Sequence, residues 1–306
     1  MRHVSLALAL AAALALAGGL GGQAFATPFE PAKVPDQVAA VGHLDVDALR
    51  RTQIFATVGG QAALDAALDD APQALRPVIH SLSRSVRGVS FWRDADQGAV
   101  YVDTGDSRGV AQLIAKLPVK PIAAIDGFPS YTIDHGDKQG YCAAFGGTLV
   151  LAETSDGLER SIRVLGGKAP SLAGSNKLPA ASRQGVFVFV ALGDTALGAI
   201  QKSAHSKVLQ LGLRTLVVDI GEAAGQVTAS ARAEMRSADA LQKARSILDG
   251  LRAMASLSDD EPALHSLIDA VTVTASGLTL EVAGKLPVVE LARLIQATHE
   301  SHPHPK

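Results

Sequence analysis

The stretch that decides the fold is Val38–Arg50, VAAVGHLDVDALR, because Gly185–Ile200, GVFVFVALGDTALGAI, repeats its pattern. Each is an apolar strand that runs into a helix through polar residues suited to helix starts, Asp45 to Asp47 in one and Asp194-Thr195 in the other. Aligning Ala48-Leu49 on Ala196-Leu197 sets an offset of 148 residues, with Asp47 opposite Thr195 as the predicted caps. The chain is thus expected to consist of two similar halves.

Working outward, each half continues with a strand pair and a helix. In the first, VSFWR and AVYVD flank the turn DADQG. Ser107 then opens a helix with Val110, Leu113, Ile114 and Leu117 on one face, stopped by Pro118. In the second, LVVDI and QVTASARAEM flank GEAAG. Val227, Ala229, Ala231, Ala233 and Met235 alternate with Thr228, Ser230, Arg232 and Glu234, which predicts one buried and one wet face. Ser237 opens the matching helix, with Leu241, Ala244, Leu248 and Leu251. The last unit is a hairpin and a helix: SYTID, GYCAAF and TLVLAE precede Leu158, Ile162 and Leu165, and VTVTA and LTLEV precede Val288, Leu291 and Ile295. Two further helices are expected as insertions, near Gln61–Leu75 and Pro262–Ile268. The fold class that follows is α+β, two related modules with antiparallel sheets covered on one face by helices.

Ahead of the modules, Arg2 and His3 precede an apolar run from Val4 to Leu16, glycines, and Ala24-Phe25-Ala26. This is the layout of an export signal with its A-x-A cleavage site. The 13-residue run is too short for the roughly 20 residues that span a bilayer, so no stable membrane anchor is expected after cleavage. LALAGG resembles the approach to a lipoprotein site, but no cysteine follows to carry the lipid. The expected division is residues 1–26 as signal peptide, 27–37 as a Pro-rich extended lead, 38–180 and 181–297 as the modules, and 298–306 as a His/Pro-rich tail. The protein is expected to be periplasmic or secreted.

The runs VGHLDVDALRRTQIFATVGG (residues 41–60) and TLVLAETSDGLERSIRVLGGKAPSLAG (residues 148–174) resemble exported bacterial proteins of unknown function built from tandem α/β modules. The resemblance lies in packing and capping positions. It implies an exported two-module fold and carries no activity, cofactor or catalytic residue.

Composition excludes several function classes. With 28 Lys plus Arg against 30 Asp plus Glu the chain has no electrostatic claim on nucleic acid. Its 8 Phe, 3 Tyr and 1 Trp are poor material for stacking platforms. A single cysteine, Cys142 in apolar GYCAAF, rules out an intrachain disulfide and multi-cysteine metal sites, and is expected to be buried. No G-x-S-x-G, H-E-x-x-H, phosphate loop or S-x-x-K occurs.

Four polar clusters remain. His43, Asp45 and Asp47 have the period-two spacing that aims polar groups to one face, as metal or acid–base chemistry requires, but helix capping is the favoured reading. Asp94 and Asp96 resemble the opening of a calcium loop without its later oxygen ligands and are read as a hairpin turn. Asp134, His135 and Asp137 are likewise read as turn chemistry. His299, His302 and His304 are candidates for weak transition-metal binding, although a polar tail is the favoured reading. Trp92 is a candidate contact surface if the uncovered sheet face is not wholly polar. No catalytic residue and no cofactor is expected. The reading is an exported, non-enzymatic envelope or secreted binding or scaffold protein whose partner is an unspecified protein or small molecule. The alternative is a periplasmic hydrolase or metal-dependent enzyme using His43, Asp45 and a hydroxyl such as Ser130.

Overall fold

The computed structural model describes residues 28–62, 85–135, 138–175, 178, 185–203, 212–256 and 268–301. Seven strands belong to the first half: β1 (Ala40–Asp45), β2 (Gly88–Arg93), β3 (Gly98–Asp103), β4 (Val119–Ile125), β5 (Phe128–His135), β6 (Lys138–Phe145) and β7 (Thr148–Ala152). The second half supplies β8 (Val186–Leu192), β9 (Leu213–Ala223), β10 (Gln226–Met235), β11 (Val271–Ser276) and β12 (Thr279–Pro287). All join one 12-stranded sheet, in the order β11-β12-β10-β9-β8-β1-β2-β3-β7-β6-β5-β4. Each neighbouring pair is antiparallel, as an α+β fold of hairpins requires.

The halves meet where β1 pairs with β8, Gly42 opposite Val190, Ala40 opposite Leu192 and Leu44 opposite Val188. These are positions related by the 148-residue offset, so the seam turns about the Gly42/Val190 pair. Reading outward from it, one half runs β1-β2-β3-β7-β6 and the other β8-β9-β10-β12-β11, with the hairpin β4–β5 added only to the first. β1 is buried along all six residues, as befits a central strand covered on both faces. At Gly42 an added Cβ would run into the ring of Phe91, which lies across the strand there.

Helices are α1 (Val46–Arg50), α2 (Gln53–Thr57), α3 (Ser107–Ile114), α4 (Ser155–Leu165), α5 (Asp194–Ser203), α6 (Ala238–Ser256) and α7 (Val288–Ser301). On the back of the sheet, α3 presses Val110 and Leu113 against Leu44, Val89, Val102 and Leu149. Further along the same face, α7 and α2 pack Val288, Ala292 and Ile54 on Val227, and α6 packs Ala240 and Ala244 on Met235 and Leu280. The front is different. There α4 sets Leu158 and Ile162 over Trp92, Val150 and Ala152, while Phe29, Val34 and Leu172 cover Val41 and Phe189. Thr154 starts α4 by accepting the Gly157 N–H at 3.0 Å, and Gly166 and Gly167 end it after Leu165.

Several expectations are corrected. The proline-rich lead includes a 3-10 turn at Pro31–Lys33 and is part of the core, with Phe29 and Val34 buried, so the fold begins before Val38. Strand β4 was not expected; it closes a hairpin on β5 through Asp126 and Gly127, both at positive φ. α5 begins at Asp194, so Thr195 lies inside the helix, and Gly193 occupies the position equivalent to Asp45. The expected helix at Gln61–Leu75 lies outside the described residues apart from its start, and that at Pro262–Ile268 apart from its end.

Candidate functional site

The three polar residues that follow one another at period two along β1 do not converge. His43 faces the front, 7% exposed, with Nδ1 2.8 Å from Ser90 Oγ on the neighbouring strand. The ring of Phe29 lies 5.9 Å away, and the lead segment closes the site. What remains is a cavity of about 30 Å³ among His43, Ser90, Tyr101, Asp103, Glu30 and Lys33, room for a water or two. Asp45 turns to the helix, accepting the Ala48 N–H at 2.7 Å, which makes it the cap of α1. Asp47, 4% exposed, is held by Arg87 Nε at 2.9 Å and Arg50 Nη1 at 3.1 Å. Its hydrogen bond raises the pKa of Arg87, while burial lowers that of Arg50 against the pull of Asp47. The expected capping role thus belongs to Asp45 alone, and Asp47 is one end of a buried ion pair. The second half has no acid at the cap position, and Asp194 pairs with Arg236 instead.

The remaining candidates are dispersed. β1 and β5 stand five strands apart, about 24 Å at the usual spacing, so His43 shares no cleft with Asp134. Asp134 takes the ammonium of Lys120 at 2.6 Å on the exposed surface, and raises its pKa through that hydrogen bond. Ser130 is buried and donates to the Phe128 carbonyl at 3.0 Å. His135 ends β5, and Asp137 lies outside the described residues. Asp94 Oδ1 accepts the N–H groups of Asp96 and Gln97 at 3.0 and 2.9 Å, and Oδ2 takes Arg160 at 2.6 Å, so this acid organises the β2–β3 turn. His299 falls within α7, while His302 and His304 lie outside the described residues. Among the described residues no group of three or more His, Cys, Asp or Glu side chains converges as a metal site, and no helix is long and apolar enough to cross a membrane.

Trp92 is not a surface residue: it is 1% exposed beneath α4. Its Nε1 donates to Tyr101 Oη at 2.9 Å and Ser161 Oγ at 3.2 Å, and the Arg160 guanidinium lies 5.1 Å above the ring. Burial pushes the Tyr101 phenol up to about 12 and the Cys142 thiol, inaccessible behind α3, up to about 11. The Trp92 indole therefore fastens the front helix to the sheet.

Three features escaped the sequence reading. Ser90 was overlooked as the partner of His43. The carboxylate of Glu222 accepts the Gln53 and Ile54 N–H groups at 2.7 and 2.9 Å, capping α2 from the other half. The third is a hollow of about 410 Å³ on the front of the second half. Its lining includes residues with little or no side chain, Gly221, Ala283 and Ser230, the buried Asp219 opposite Ser230, and Thr228, Thr272 and Lys285. Strand pairing puts Thr228, Ser230, Arg232 and Glu234 on this face, where all four are half-buried, while Ala229 on the face expected to be buried is exposed.

Fold and site together define an α+β protein with a continuous antiparallel sheet, a helix-lined back and a front that, among the described residues, is open over one half. No protein-family model matches the chain, and no curated protein does. Among solved structures the fold is similar to that of TP0453, a Treponema protein. Its crystal form III has a TM-score of 0.54 at 10% identity, covering 90% of this chain and 100% of that one. Crystal form IV gives 0.52 at 11% identity, over 89% and 97% of the two chains, and form I gives 0.50 at 9%, over 90% and 99%. At such identity the likeness is one of fold.

Proposed function

We propose that the chain is an exported, non-enzymatic envelope or secreted protein made of two related modules, and that it binds a small molecule or a protein segment on the open front of its second half. The observation that carries this reading is the division of labour between the two fronts. The histidine–hydroxyl pair of the first is shut in a cavity of about 30 Å³, too small for a substrate. The hollow of the second is more than ten times larger and is lined by glycine, alanine and hydroxyl side chains together with Asp219, Glu222 and Lys285. Such a surface offers hydrogen bonds, shape and a few charged groups to a ligand that fits it. Related modules are supported by the matching strand order on either side of the seam, and export by Val4–Leu16 with Ala24-Phe25-Ala26.

Native mass spectrometry of protein recovered gently from envelope fractions tests the binding. The expected result is a retained adduct that is lost when Ser230→Trp fills the hollow and kept in His43→Ala. An adduct lost with His43→Ala but kept with Ser230→Trp overturns the reading. Export is checked by N-terminal sequencing of the envelope protein, expected to start at Thr27; protein found only in the cytoplasm with Met1 intact refutes it.

A further inference from the structure

The sheet ends in two unlike edges. At one, β4 carries Lys120 and Pro121, and its register with β5 is broken between Ile122 and Ile125. A charge, a proline and an irregular ladder are devices that discourage another strand from adding. At the other, β11 reads VTVTAS, with no charge and no proline, and pairs with β12 over six residues without interruption. Thr272, Thr274, Ala275 and Ser276 are exposed, and no strand lies beyond β11 among the described residues.

The first half shows what such an edge accepts. Its strand in the place of β11 is β6, and there β5 adds antiparallel over six residue pairs, Ser130 with Ala143 through His135 with Lys138. The same position is filled in one half and bare in the other. Beside the bare edge, α6 presents Leu241, Ala244 and Leu248 to the cluster that includes Val273, but Leu251, next on the same stripe, is 54% exposed. The apolar stripe of α6 thus ends on an exposed leucine.

We infer that β11 is a pairing edge whose occupant is β11 of a second copy of this chain, giving a twofold dimer with one sheet running through both molecules. The sequence is self-complementary in that arrangement. Centred on Val273, antiparallel pairing sets Val271 opposite Ala275 on the helix-lined face and Thr272 opposite Thr274 on the other, with no like charges opposed. It is also the way the two halves already meet, equivalent strands antiparallel about a residue pair at the seam.

Sedimentation analysis of the chain beginning at Thr27, from low to high micromolar concentration, tests this. A reversible monomer–dimer equilibrium is expected. T272K/T274K sets lysines against lysines and is expected to weaken the dimer by at least about tenfold, while T272E/T274K sets each lysine against a glutamate and restores it. Both positions are exposed, and unchanged circular dichroism and Tm verify that the fold is intact. A monomeric wild type, a dimer indifferent to T272K/T274K, or equal weakening by both double variants overturns the inference. So does a foreign chain occupying β11 in place of the second copy.

Discussion

Over β1, β2, β3 and β7 the front of the sheet is roofed by Phe29, Val34, Leu158, Ile162 and Leu172, whereas over β10 and β12 the same front presents Ser230, Arg232, Glu234 and Glu281. The strand order is shared; what differs is the destination of the final helix. α4 crosses to the front and α7 stays on the back. The strands dictate this, because an amphipathic helix packs where it finds apolar surface. β6, β7 and β2 offer Ala143, Val150, Ala152 and Trp92 in front, while β10 and β12 offer cross-strand ion pairs such as Arg232–Glu281. Alternation within strands, rather than the helix sequence, thus decides which face is left open.

The contrast is broken most severely by removing the roof. Ile162→Ala is expected to cost about 2–5 kcal/mol in urea unfolding, whereas Ser230→Ala on the open front stays within about 0.5 kcal/mol. Comparable losses would mean that the second front is covered too. At the seam, Gly42→Ala crowds Phe91 and is expected to cost about 1–3 kcal/mol, with Phe91→Leu recovering part of it in a double-mutant cycle. Additive effects would place the Phe91 ring elsewhere. Glu222→Ala removes the cap that one half lends to the other, for about 0.5–2 kcal/mol, read by chemical denaturation.

The smallest effect concerns acid. Burial opposes the ionisation of Asp94, but the N–H groups of Gln97 and Asp96 and the Arg160 guanidinium outweigh it and hold the carboxyl below its ordinary 3.8. A group with a depressed folded pKa stabilises above the unfolded value and loses that contribution as pH falls through the folded one. Tm is therefore expected to drop below about pH 4, and Asp94→Asn to show a shallower drop. Equal acid slopes in the two proteins would remove Asp94 from the account.

Much of this was legible in the chain itself. Alternation in β10 marks its two faces, and the Leu158, Ile162 and Leu165 spacing marks α4, because both periods are local. β4 was missed because Pro121 argues against a central strand; at an edge a proline costs no ladder bond, and Asp126-Gly127 was the turn signal to heed. The His43–Ser90 contact and the Glu222 cap depend on register across 47 and about 169 residues, which no local pattern contains. The cap at Asp45 was readable, but the expected pair of caps at Asp47 and Thr195 was not met, since Asp47 is held by arginines, Thr195 lies inside its helix and a glycine stands where Asp45 has its match. The open hollow arises from short residues on three separate strands and is visible only once these lie side by side.

The seam has a consequence for how the chain is made. β1 is finished early in synthesis, yet its second neighbour, Val188–Leu192, emerges well over a hundred residues later. Until then a strand destined for complete burial has one flank without a partner. Any delay in bringing the second half up lengthens the interval in which that flank is open to misassembly, so a block placed between the halves does the most harm.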